Sequence, residues 1–283
     1  MPSAQSIISD CLKKHKNISI KDLRLIIGAI KNISYEKILF LAEKTILNHE
    51  EMSIFFKMLN GYLENTPISK LINKKQFWKH EFFVNFNVLD PRPETELIIE
   101  MILKRFDPES KIKFLDLGTG SGCVLLSLLA EFKNSVGTGL DISQKAIDVA
   151  VYNKNRLNLE NANFINADWN NISSDQKFDV IVTNPPYVKT NDINELDESV
   201  RNYDPRISLD GGVDGLKAYR EISNLAKKFL APSGAIFFEI GCDQKKEVEQ
   251  ILCDNGFKIH EIRKDYNGIE RVIFATLDIC KDF

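Results

Sequence analysis

The apolar run Phe178-Asp179-Val180-Ile181-Val182-Thr183 ends on Asn184-Pro185-Pro186-Tyr187, and that ending constrains the chain more than any other stretch. The run has the length and composition of a buried strand. Pro185 and Pro186 have a fixed φ and no backbone N–H, and a residue before proline is held extended, so the ladder stops at Asn184. What is left is an amide side chain on a stiff platform, with the carbonyls of Asn184 and Pro185 as acceptors. An acceptor pair beside an aromatic ring suits the holding of a planar NH2 group by both its hydrogens. A strand closed by a plain proline turn has the same local sequence, and the choice between the two depends on the rest of the chain.

From Lys111 onward strand and helix patterns alternate. Strands are expected at Ile112 to Leu117, Val136 to Leu140, Ala162 to Asn166, Phe178 to Thr183 and Ala235 to Ile240. Helices are expected at Val124 to Phe132, Ser143 to Asn155 and Lys217 to Leu230. A closing strand pair, about Lys258 to Arg263 and Arg271 to Thr276, surrounds Asn267-Gly268. The alternation predicts an α/β fold with a doubly wound sheet and an antiparallel tail.

Before it, from Ala4 to about Leu71, apolar residues recur at helical spacing: Ile7, Ile8, Cys11, Leu12; Leu23, Ile26, Ile27, Ile30; Ile38, Leu39, Leu41, Ala42; Ile54, Phe55, Met58, Leu59, Tyr62. Ser19 and Ser34 are the expected N-caps. This reads as a small helical bundle suited to recognition or support. Between Gln76 and Leu89 the period changes to two, with Phe82, Val84, Phe86 and Val88 on one side, which predicts a hairpin or paired extended segment. Asp90-Pro91-Arg92-Pro93-Glu94-Thr95-Glu96 then opens a helix, because Pro and early acidic residues suit a helix N-terminus; Arg92 and Thr95 either face a ligand as well or belong to that helix start alone. The domain boundaries expected are 1–75 helical, 76–90 hairpin linker, and 91–283 catalytic.

A chain of 283 residues with 43% hydrophobic content has enough apolar surface for a sizeable core. No stretch approaches the ~18 apolar residues of a membrane span, and the N-terminus lacks a basic region followed by an apolar core, so a cytoplasmic protein without membrane partners is expected. Five scattered cysteines, Cys11, Cys123, Cys242, Cys253 and Cys280, form no Cys-x-x-Cys and no cluster with histidine, which argues against structural metal and a disulfide framework. The net charge of −3 is uneven: residues 1–80 carry 13 Lys+Arg against 7 Asp+Glu, a net of +6, and the remainder 24 against 33, a net of −9. The basic segment is either a docking surface for an acidic partner or a set of solvated lysines.

Asp116-Leu117-Gly118-Thr119-Gly120-Ser121-Gly122 leaves the first strand of the alternating region and opens a helix. Such a turn lets a ligand lie against backbone N–H groups at a positive helix end. Asp141, closing the next strand about 20 residues on, is where a carboxylate chelates ribose hydroxyls, so a nucleoside cofactor is expected. Asp168-Trp169 sits at the following strand end, where Asp168 or nearby backbone is placed to meet an adenine edge and Trp169 to cover its face. All these groups share one crevice with Asn184. With NAD the clamp would have no hydride donor or acceptor to serve, and no His or Tyr pair is placed for proton transfer, whereas S-adenosylmethionine fits, with its sulfonium methyl aimed at the held nitrogen.

Taken together, Pro91-Arg92-Pro93-Glu94-Thr95-Glu96, Asp116 to Gly122, Asp168-Trp169, Asn184 to Tyr187, Tyr203-Asp204-Pro205-Arg206, Leu209 to Leu216 and Asp265 to Val272 resemble the HemK/PrmC family of protein-glutamine N5-methyltransferases acting on peptide chain release factors. The resemblance covers nearly the whole chain. It implies an S-adenosylmethionine-dependent, Rossmann-like methyltransferase fold with a small N-terminal helical domain. It implies cofactor contacts at Gly118, Thr119, Gly120, Ser121, Gly122, Asp141, Trp169 and Asn184, substrate contacts at Asn184, Pro185, Pro186 and Tyr187, and Asn184 with Pro185 as the catalytic pair. The substrate implied is the glutamine of a Gly-Gly-Gln tip in release factors 1 and 2, acted on by a monomer without direct nucleic-acid binding. Lys70-Leu71-Ile72-Asn73 and Gln76-Phe77-Trp78 depart from the family's Tyr-x-x-Gly before the hairpin. Three rivals stay open: an adenine N6-methyltransferase fed by base flipping, a sister enzyme methylating a ribosomal-protein glutamine, and a non-catalytic S-adenosylmethionine sensor.

Overall fold

Short polar side chains at the helix starts begin the first part of the chain. Ser3, Ser19 and Ser34 each accept a backbone N–H three residues on, at the starts of α1 (Ala4–Lys14), α2 (Ile20–Lys31) and α3 (Tyr35–Leu41). Asn48 and Glu51 form a complete capping box on α4 (His49–Leu63), which is followed by α5 (Ile68–Ile72). The computed structural model describes residues 1–16, 18–171 and 176–278, and it divides the chain into Met1–Lys74 and Lys75–Phe283. In the first unit Ile7, Ile8, Leu23, Ile26, Ile27, Ile38, Phe55 and Leu59 form a core of their own. Leu12, Leu39, Leu41 and Ile54, which lie in the apolar stripes of the sequence, are 37–41% exposed instead. α3 buries only Ile38, while its Leu39, Phe40 and Leu41 are exposed.

The second unit starts with a hairpin, β1 (Lys75–Phe77) against β2 (His80–Phe82), with Trp78 in the left-handed region at φ 54°. The period-two pattern predicts pairing onward to Val88, but the strand stops at Phe82. The Asn153 side chain takes over both backbone groups of Phe83, accepting its N–H at 2.7 Å and donating to its carbonyl at 2.9 Å. Val84 and Val88 are still buried, against Ala146 and Val149, while Phe86 is half exposed. The proline-rich segment forms a 3-10 turn, Pro93–Thr95, that leads into α6 (Glu96–Leu103).

The remaining elements run β3 (Lys113–Leu117), α7 (Cys123–Glu131), β4 (Val136–Asp141), α8 (Gln144–Leu157), β5 (Ala162–Asn166), β6 (Phe178–Thr183), α9 (Glu198–Arg201), α10 (Lys217–Phe229), β7 (Leu230–Glu239), α11 (Lys245–Asp254), β8 (Phe257–Lys264) and β9 (Glu270–Leu277). The seven-stranded order is β5-β4-β3-β6-β7-β9-β8, parallel from β5 to β7, with β9 antiparallel to both its neighbours. The chain therefore steps one way from β3 to β4 and the other way to β6, which puts a topological switch point beside β3. This is an α/β doubly wound sheet with an antiparallel tail.

Alternation along the central strands covers both faces. Phe114, Val180, Val182 and Phe237 join α6 and α7 in one core layer, and Leu115, Ile181, Ile236 and Phe238 join α10 and α11 in the other. Each such side chain taken out of water stabilises by about 1.5–3 kcal/mol. β7 begins at Leu230, five residues before the expected Ala235, because Leu230 pairs with Phe178 across a register shift that absorbs Pro232 and Gly234. α11 was not among the expected helices. Among the described residues no helix is long and apolar enough to cross a membrane. Cys11, Cys123, Cys242 and Cys253 are free thiols, and Cys280 lies outside the described residues.

Candidate active site

Strand register builds the site. Leu117 of β3 pairs with Leu140 of β4 on one side and with Thr183 of β6 on the other, and Thr183 pairs with Phe238 of β7. The next residue of each strand is therefore Gly118, Asp141, Asn184 and Glu239, in one row across the carboxyl ends of the sheet. Asp141 pairs with Asn166 of β5, which brings Asp168 and Trp169 to the same edge.

A cavity of about 270 Å³ opens along this row, close to the lower end of the ~300–1,000 Å³ typical of small-molecule sites. Gly118, Gly120, Asp141, Asp168, Trp169, Asn184 and Pro186 all line it. The glycine turn is tied to β4, since Gly118 and Thr119 both donate to the Leu140 carbonyl, at 2.9 and 2.8 Å. Gly120 lines the cavity with a φ of 55°, and a Cβ there would meet nothing within 4 Å, so the space beside it is open.

Not every residue of the turn faces a ligand. Thr119 is buried and its hydroxyl donates to Asp116 Oδ2 at 2.6 Å; Ser121 is buried as well; Gly122 packs on Phe164, Leu126 and Ala150. Asn153 fastens the turn from behind by donating to the Ser121 carbonyl at 2.9 Å. Burial pushes the Asp116 carboxyl up to about 7, against the pull of the Thr119 hydroxyl and with the push of Asp141.

Asp141 accepts the Gly120 N–H on Oδ2 and the Ser143 N–H on Oδ1, each at 2.9 Å. Burial raises its pKa, and these two amides hold it down. A carboxylate has about four lone-pair sites, so two remain for a ligand's hydroxyls. Trp169 Nε1 donates to Glu221 Oε2 at 3.1 Å, which fixes the indole at the cavity wall.

Asn184 stands at the other end of the row. Its Nδ2 donates to Thr95 Oγ1 at 3.2 Å, and Thr95 Oγ1 donates to Glu239 Oε2 at 2.6 Å. Pro186 lines the cavity, whereas Pro185 is buried and Tyr187 packs against the second core layer. The Asp210-Gly211-Gly212 loop closes on this platform: Gly211 donates to the Val188 carbonyl at 2.8 Å. A Cβ on Gly211 would lie 2.8 Å from the Pro186 carbonyl oxygen, which is why only glycine fits.

The sequence leaves Arg92 and Thr95 two readings, ligand contact or helix start, and neither residue lines the cavity. Arg92 forms a 2.8 Å ion pair with the buried Asp204, and Thr95 is buried against Glu239. Glu239 was not among the expected site residues; its one mark in the sequence is that it is the lone carboxylate in the apolar run from Ala235 to Ile240, and its place beside Asn184 comes from the pairing of β7 with β6. Burial pushes it up to about 7, with Thr95, Arg271 and Asn184 pulling down and Glu94 pushing up. Among the described residues no cluster of His, Cys, Asp or Glu is arranged to hold a metal ion.

A family model described as a methyltransferase domain matches residues 108–274. The release factor glutamine methyltransferase of Caulobacter vibrioides is 42% identical over 77% of this chain and 77% of its own length. The Rhodospirillum rubrum protein of the same name is 36% identical over 90% of this chain and 78% of its own. The chain belongs to the release factor glutamine methyltransferase family. It also aligns, at 34% identity over 99% of its length, with a bifunctional methyltransferase of Rickettsia felis, of which it spans 59%. Two solved structures support the fold alone. A methyltransferase from Pyrococcus furiosus has a TM-score of 0.52 and 19% identity, covering 77% of this chain and 97% of that one. The ribosomal protein L11 methylase of Lactobacillus delbrueckii has a TM-score of 0.51 and 18% identity, covering 68% and 81%.

Proposed function

We propose that this chain transfers the methyl group of S-adenosylmethionine to the side-chain amide nitrogen of a release-factor glutamine. The observation that carries this reading is the row of Gly118, Asp141 and Asn184 along one cavity, a nucleoside-type donor set beside an amide clamp. The residues present suit the cofactor. The open space beside Gly120 and the Asp141 carboxylate match hydroxyl-bearing ribose, Asp168 and Trp169 match an adenine, and Ile142 and Ala146 add apolar wall. When bound, S-adenosylmethionine supplies an electrophilic methyl on a sulfonium.

The protein's part is positioning. A glutamine amide nitrogen is a poor nucleophile, because its lone pair is delocalised into the carbonyl. Accepting its two hydrogens on the Asn184 side-chain oxygen and the Pro185 carbonyl orients that nitrogen for attack. Pro186 keeps the clamp stiff, and Val88 and Ile207 at the cavity wall keep water from competing for the NH2 group. The methylated nitrogen is acidic enough to lose its proton to water, so a strong general base is not needed.

The finer assignments extend this reading. The substrates are release factors 1 and 2, whose Gly-Gly-Gln tip is thin enough to enter the cavity because two glycines allow a positive φ. The enzyme acts as a monomer in the cytoplasm, and residues 1 to about 75 recognise the protein substrate. The test is incubation with labelled methyl donor and purified release factors, followed by peptide mapping. Label on the Gly-Gly-Gln glutamine supports the reading, and label on nucleic acid or on no acceptor overturns it.

A further inference from the structure

The Asn184 clamp works only if its carbonyl oxygen, not its NH2, faces the substrate. An isolated Asn side chain has no such preference, because rotating the amide by 180° exchanges acceptor for donor in nearly the same shape. Something behind Asn184 must break that symmetry. Glu239 closes the neighbouring strand β7 in register with Asn184, and Thr95 sits between them at the entrance to α6.

We propose that Thr95 and Glu239 are positioning residues that set the orientation of the Asn184 amide through a one-way hydrogen-bond chain. A carboxylate only accepts, so Glu239 takes the Thr95 hydroxyl proton at 2.6 Å. With its hydrogen committed, Thr95 Oγ1 offers Asn184 only lone pairs and accepts from Nδ2 at 3.2 Å, and the Asn184 amide also favours the Glu239 carboxylate directly, which selects the same orientation. The opposite atom, Asn184 Oδ1, is then the one presented to the cavity. Reversing the amide would set Oδ1 against an oxygen with no hydrogen to give, which leaves buried acceptors facing each other.

The one-way bias is lost if Glu239 is protonated. The carboxylic acid can donate to Thr95 as well as accept from it, so Thr95 becomes free to donate to Asn184 Oδ1, which turns the NH2 group toward the cavity, where it repels the substrate's own NH2. The charged and titratable groups facing Glu239 come from several elements. Arg271 of β9 favours the carboxylate; Glu94 of the proline-rich turn opposes it. Tyr187 beyond β6, Tyr219 of α10 and Cys123 of α7 are buried neutral groups whose ionisation Glu239 disfavours.

This inference rests on the reading that Asn184 holds the acceptor amide, so its test has two arms. In the first, full-length chain labelled with 15N-asparagine is observed without substrate, and Asn184→Asp identifies the Asn184 side-chain signal. The bonded NH2 should exchange slowly in the wild type and in Thr95→Ser, and about tenfold faster or more in Thr95→Val. In the second, single-turnover methylation of a release factor is followed against pH. The wild-type rate should rise as Glu239 ionises. Glu239→Gln, isosteric and uncharged, should lose that rise, and Thr95→Val should be slower by about tenfold or more throughout. Thr95→Ser should restore most of the rate, with S-adenosylmethionine affinity within a few-fold in every variant. Identical exchange in Thr95→Val and wild type overturns the proposal whatever the activity. So does a wild-type pH profile that Glu239→Gln leaves unchanged. A wild type that methylates no release factor contradicts the functional reading alone, since the exchange arm stands without it.

Discussion

Asp141 accepts the Gly120 and Ser143 N–H groups while facing the cavity, so it shapes the glycine turn as well as offering a carboxylate to a ribose. Asp141→Ala should weaken S-adenosylmethionine binding by about 1.5–3 kcal/mol, measured by calorimetric titration. Unchanged affinity in a folded variant would remove Asp141 from the ribose site. Glu239 makes a separate prediction, on stability. Its folded pKa of about 7 lies above the ordinary value of 4.5, so its contribution is complete below about pH 4.5 and is lost as pH rises through 7. Thr95, Arg271 and Asn184 reduce that penalty and Glu94 adds to it. Glu239→Gln should therefore gain stability relative to wild type between pH 5 and 8, on the order of 3 kcal/mol at the alkaline end. Asp116 titrates over the same range in both proteins and cancels in the comparison. Denaturant unfolding at the two pH values measures the difference, and a constant difference would mean that Glu239 is not held neutral by burial. At this scale the sequence revealed Asn184 and Asp141, which stand at strand ends after recognisable breaks. It did not reveal Glu239 or Asn153, because their roles arise from strands and loops that meet only in the fold.

The helix–strand alternation from β3 to β6 was legible because period and punctuation agree there: apolar runs end on Gly, Asp or Pro, and β5 and β6 match their expected bounds. Elements failed to show where one signal was weak or misleading. α11 buries only Val248 and Leu252 and starts without a side-chain cap, so neither its stripe nor its start is marked. The paired segment expected between Gln76 and Leu89 has the right alternation, but past Phe82 the backbone groups of Phe83 are taken by a side chain 70 residues away. That side chain suggests a prediction about elements. Asn153 of α8 bonds the hairpin exit at Phe83 and the glycine turn at Ser121, so Asn153→Ala leaves three backbone groups without this partner. The variant should lose about 2–3 kcal/mol in denaturant unfolding. A loss below about 0.5 kcal/mol would show that water replaces the side chain freely.

Across the whole molecule, the helical unit Met1–Lys74 and the unit Lys75–Phe283 have separate cores, and the Gly118, Asp141 and Asn184 row lies wholly in the second. Removing residues 1–74 should therefore leave S-adenosylmethionine affinity within a few-fold while lowering kcat/KM on an intact release factor. A truncated protein of wild-type kcat/KM would exclude a recognition role for the helices. The central claim is that Asn184 holds the acceptor amide of a glutamine. Single-turnover methylation of a Gly-Gly-Gln-bearing release factor by wild type and Asn184→Ala, with a Gln-replaced factor as control, tests it most directly. The expected result is a rate lower by about 10²–10³ in Asn184→Ala, as for loss of one preorganised hydrogen-bonding group, with little change in cofactor affinity and no label on the control. Near-normal transfer by Asn184→Ala, or undiminished labelling of the control, would contradict it.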